Sequence, residues 1–108
     1  MTVVSDGNAP WVISVDDTAT TVEIVLQKQT VVLSWHQFVY AEGDSEQVRM
    51  AFASHDVVIS GSGLDPLLAA IAAHRVVSLR ETVRAERFSV QAGRFINEIV
   101  VRRVEGEL

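Results

Sequence analysis

The sequence contains no cysteine, which excludes a disulfide framework, a thiolate zinc site and thiol nucleophilic chemistry together. Lysine is nearly missing as well: Lys28 is the single one among nine basic residues. Aromatic platforms that stack nucleic-acid bases interleave their rings with lysine and arginine. Here Trp11, Trp35, Phe38, Tyr40, Phe52, Phe88 and Phe95 have Val, Ser, Gln and Glu as neighbours, so these rings read as core, and the net charge of -5 argues the same way. No nucleic-acid partner is expected. Two prolines and six glycines are too few and too scattered to form a linker. No run approaches the roughly 20 apolar residues of a membrane span, and Met1-Thr-Val-Val-Ser-Asp-Gly-Asn8 lacks the basic start and apolar stretch of a secretory signal. The expectation is a cytoplasmic chain with no membrane partner.

What is present is a chain of 108 residues, 48% hydrophobic and 21% charged, enough to bury one core without staples. A single domain over residues 1–108 is expected, loosely held at about 1–10 and 104–108. Valine dominates, with 19 against 7 leucines and 6 isoleucines, and β-branched side chains suit a pleated surface. Charge is unevenly spread. Residues 1–70 hold two basic groups against nine acids, and residues 71–108 hold seven arginines against five acids, so the two parts attract each other.

Period-two alternation predicts strands at Trp11 to Val15, Val22 to Leu26, Thr30 to Leu33, Phe38 to Tyr40, Gln47 to Ala53, Val57 to Ser60, Val76 to Glu81 and Phe95 to Arg103. Ser34-Trp35-His36-Gln37 has the spacing of one capped helical turn. Thr82 to Arg87 is ambiguous, Phe88 to Gln91 fits an extended course, and Gln91 to Arg94 is turn-like. The one helix is expected from Pro66 to His74, with Asp65 as its cap and Leu64, Leu67, Leu68, Ile71 and Ala72 as its apolar stripe. The fold class is therefore α+β: a strongly bent antiparallel sheet or small open barrel of about six or seven strands with one main helix near 65–75. In layout alone this resembles small roll and pleckstrin-homology-like domains, a likeness that implies no function.

Ser60, Gly61, Ser62 and Gly63 are the candidate site. Strand, Gly-x-Gly turn and helix start follow in the order that cradles a phosphate, with backbone amides and the helix dipole favouring an anion. Glu81 stands 20 residues after Gly61, where a dinucleotide-binding unit places its ribose-binding acid, but Pro66 takes the third glycine's position and no doubly wound sheet follows. Ser62 is no nucleophile elbow, because that motif needs glycine where Ser60 stands. His36, His55 and His74 lie in three unrelated local settings. No catalytic residue, metal site or cofactor is expected.

Two functions remain. The first is a non-catalytic protein-interaction or self-associating module, with a homodimer expected: Ile96, Val100 and Val104 on one side of the last strand and Phe95, Ile99 and Val101 on the other both need cover, and one short helix covers only one side. The alternative is a binder of a small anionic ligand at Gly61-Ser62-Gly63 and the helix N-terminus.

Overall fold

A computed structural model describes residues 3–4, 10–82 and 94–104. It is α+β, as expected, with nine strands among the described residues: β1 (Val3–Val4), β2 (Trp11–Ser14), β3 (Thr21–Val25), β4 (Thr30–Ser34), β5 (Phe38–Gly43), β6 (Gln47–Phe52), β7 (His55–Ser62), β8 (Val76–Arg80) and β9 (Phe95–Arg103). A single 3-10 turn, Trp35–Gln37, joins β4 to β5, and one helix, α1 (Asp65–Ala72), lies between β7 and β8. The ambiguous stretch from Val83 to Arg87, the extended course expected at Phe88 to Gln91, and residues 105–108 lie outside the described residues.

The strands form two sheets that do not close into a barrel. The first runs β1-β2-β8-β3-β4 and the second β5-β6-β7-β9. Every pair is antiparallel except β3 with β8, where Glu23 stands beside Ser78 and Ile24 beside Leu79. The parallel pair follows from the chain's path: β8 returns from α1 into the middle of the first sheet, far in sequence from the strands it joins. Alternation then assigns the faces. Val22, Ile24 and Leu33 of the first sheet and Val48, Met50, Val57, Ile59, Ile96 and Ile99 of the second belong to one buried cluster, with Leu64, Leu67 and Ile71 closing it from the helix.

Two local expectations are corrected. Asp65 is the first helical residue rather than the cap; Leu64 is the cap, its carbonyl accepts the amide of Leu68 at 3.0 Å, and no side chain caps the helix. The Asp65 charge still complements the dipole. On β9 the register against β7 shifts between Ser60 and Gly61 and skips Asn97, so Ile96 and Ile99 both face the core. Beyond the bulge Ile99, Val101 and Arg103 share one face and Glu98, Val100 and Arg102 the other.

The helix ends on His74 in the left-handed region, at φ 54°. Its amide donates to the carbonyl of Ile71 at 2.9 Å and that of Arg75 to Ala70 at 3.0 Å, the pair of bonds of a Schellman cap. Glycine usually takes this position. The His74 ring here lies flat on Trp35, centroids 5.1 Å apart at 12°, a contact that offsets the backbone cost.

Candidate functional site

The Gly-Ser-Gly segment is not a loop over most of its length. Ser60, Gly61 and Ser62 are the last residues of β7, and only Gly63, at φ 65°, turns the chain toward α1. Gly61 is required by close approach: a Cβ there would meet the carbonyl oxygen of Phe95 on β9 at 2.0 Å. The amides that a phosphate cradle would use are partly committed. Gly61 donates to the carbonyl of Glu46 and Leu64 to that of Ser45, each at 2.9 Å. Both acceptors belong to the β5–β6 turn, where Asp44 and Glu46 add negative charge. The reading of Ser60, Gly61, Ser62 and Gly63 as an anion site gains no support from this arrangement.

The histidines sit on three elements. His36 is exposed in the 3-10 turn, His55 is within 2.7 Å of the Ser54 hydroxyl through Nδ1, and His74 packs on Trp35 and Phe38. No group of three metal-binding side chains exists among the described residues. An open cleft of about 670 Å³ runs beside the β3–β4 turn, between Lys28 and Gln29 on one side and Glu81, Asn97 and Ile99 on the other. Among the described residues its lining has no hydroxyl, imidazole or thiol, and one oxygen of Glu81 already accepts the amide of Ile99 at 3.0 Å. At the second sheet's outer face Arg49 reaches Asp56 at 3.2 Å, and Asp56 stands opposite Arg102, from the arginine-rich last third, in register. Exposed pairs of this kind contribute little.

The sheet edges are more informative. An edge strand presents unpaired main-chain groups, and proteins blunt it with charge, bulges or a plug. β5 carries a register shift between Phe38 and Tyr40 and a glutamate at Glu42. β9 carries exposed Arg102 and Arg103, and the Glu81 carboxylate occupies the amide of Ile99. Among the described residues β4 has none of these devices. Its residues, Thr30-Val-Val-Leu-Ser34, include no charge, proline or glycine, its register against β3 is unbroken, and Val32 is 57% exposed.

The orientation of the β4 main chain follows from the bonds that bracket the hairpin. Leu26 donates to Gln29 at 2.8 Å and Trp35 to Thr20 at 3.1 Å. Antiparallel pairs alternate, so Val31 and Leu33 bond inward to β3, and the amides of Thr30, Val32 and Ser34 point away from the sheet. The carbonyls of Thr30 and Val32 do the same. Sequence reasoning found the strand but not its role, because edge position depends on pairings that local periodicity does not reveal.

No helix among the described residues is long and apolar enough to cross a membrane. Comparison with known protein families, curated proteins and solved structures gives no match to this chain.

Proposed function

We propose that this domain is a non-catalytic protein-interaction module that accepts an extended strand along β4. The observation that carries the reading is an edge of five residues that, among the described residues, has no charge, bulge or plug, while β5 and β9 are both defended. Strand addition uses such an edge directly: main-chain bonds supply affinity, and alternate side chains supply selectivity. The apolar outer residue Val32 and the flanking hydroxyls of Thr30 and Ser34 favour an uncharged, β-branched partner strand. A chain without thiols suits the reducing cytoplasm, the compartment that belongs to this reading.

A synthetic peptide carrying residues 28–36 of this chain tests the proposal. Titrated into the labelled domain, it should shift the amides of Thr30, Val32 and Ser34 more than those of β9. Unchanged β4 amides at millimolar peptide, about the weakest affinity of interest, would overturn the reading.

A further inference from the structure

We infer that the strand accepted by β4 is β4 of a second copy of this chain, paired antiparallel about a two-fold axis through Val32. The inference rests on the reading of β4 as a docking edge and names its occupant.

The β4 edge is self-complementary. A two-fold interface brings the same surface to itself, so each residue must tolerate its own counterpart or a specified neighbour. With the axis at Val32, Val32 faces the partner's Val32, Val31 faces the partner's Leu33, and Thr30 faces the partner's Ser34. Val32 exchanges both main-chain bonds with its counterpart, and each Ser34 amide reaches the carbonyl of the partner's Thr30. Side chains then match face by face. Val31 and Leu33 point toward the core, so their cross-strand pairs continue the apolar layer from one copy to the next. On the outer face the two Val32 side chains cover each other, and the hydroxyls of Thr30 and Ser34 lie opposite one another. No charged residue occurs anywhere in β4. The result is one continuous sheet in the order β1-β2-β8-β3-β4 followed by its inverse.

The other long edge fails the same test. A two-fold through Arg102 would oppose two arginines, and one through Val100 or Val101 would need the Ile99 amide that Glu81 already holds. A slip of one residue on β4 is also excluded, since it would turn main-chain groups bonded to β3 toward the partner.

Light scattering coupled to gel filtration reads the assembly. The wild-type chain should elute near twice its 11.8 kDa mass at high micromolar concentration. Val32→Lys should raise the dimer Kd by roughly tenfold or more, by placing two like charges on the axis. Val39→Lys is the control, because Val39 is 63% exposed on β5 and should leave the dimer intact. Since the chain has no cysteine, Val32→Cys gives a second readout that needs no destabilising charge: a short bismaleimide should cross-link it to a dimer faster than it links Val39→Cys. A monomeric wild type, or equal cross-linking at the two positions, overturns the inference. If the wild type is monomeric while the peptide still shifts the β4 amides, the second copy is wrong and the docking edge stands. If neither occurs, both fall.

Discussion

The indole Nε1 of Trp35 donates to the main-chain carbonyl of Val76 at 3.0 Å, a buried bond joining residues 41 positions apart. Trp35 is 5% exposed and packs among Phe38, Phe52 and His74. The 3-10 turn between the sheets, the end of α1 and the start of β8 are thereby fastened at one point. Trp35→Phe keeps an aromatic ring but leaves the Val76 carbonyl without that donor in the core. The expected cost is about 1–3 kcal/mol. Trp35→Ala adds the lost packing and should cost about 3–5 kcal/mol or more. Urea denaturation followed by far-UV circular dichroism decides this, and a Trp35→Phe variant as stable as wild type would show that the bond contributes nothing net.

The helix makes a second prediction, sharper than periodicity alone allows. Leu67 and Ile71 are fully buried, while Leu68 is only partly so, at the flank of the stripe. Leu67→Ala should cost about 2–5 kcal/mol and Leu68→Ala clearly less. Equal losses for the two would mean that α1 sits rotated from the position described.

The contrast between Leu67 and Leu68 also marks what the sequence made legible. Period two located eight strands to within a few residues, and the spacing from Leu64 to Ile71 located the helix, because both patterns are local consequences of burying one face. The division of the strands between two sheets was not legible, because strand partners such as Glu23 and Ser78 are 55 positions apart and nothing local encodes their parallel pairing. The bulge at Asn97 was hidden for a related reason. Alternation through β9 reads as apolar on both sides until the register shift against Gly61 is known. At the Gly-Ser-Gly segment, glycine pointed to a turn, yet Gly61 is there to let β9 approach. The β4 edge was legible as a strand and illegible as an edge.

Asp44 gives a pH dependence. Its carboxylate accepts the amides of Glu46 at 2.8 Å and Gln47 at 3.0 Å within the β5–β6 turn, and these bonds hold its carboxyl below the usual aspartate range. In the unfolded chain the group titrates near the usual value of about 3.9. Between the lowered folded value and that one, the unfolded chain binds the proton and the folded chain does not, so stability rises with pH. The contribution is complete above the unfolded value and is lost as pH falls through the folded one. Asp44→Asn keeps an oxygen for the two amides and removes the titration. The wild type should therefore exceed this variant in urea midpoint at neutral pH, and the gap should close in acid. A gap that persists unchanged to about pH 2 would assign the difference to turn geometry instead.

Glu81 is the last test, and it concerns the edge that β4 does not share. The Glu81 carboxylate accepts the amide of Ile99 on the outer side of β9, where a new strand would otherwise begin to pair. A hydrogen bond to a charged acceptor contributes about 1.5–3 kcal/mol. Glu81→Ala should accordingly speed hydrogen exchange of the Ile99 amide by roughly tenfold to a hundredfold, while Glu81→Gln, which retains an oxygen acceptor, should fall between. The freed amide lies in line with the outward groups of Val101 and Arg103, so the same variant lengthens the open edge of β9. It should then show added self-association at high concentration that Val32→Lys does not suppress, because the two edges belong to different sheets. If Glu81→Ala exchanges the Ile99 amide at the wild-type rate, the carboxylate is not guarding β9, and β9 is then as open to strand addition at Ile99 as β4 is at Val32.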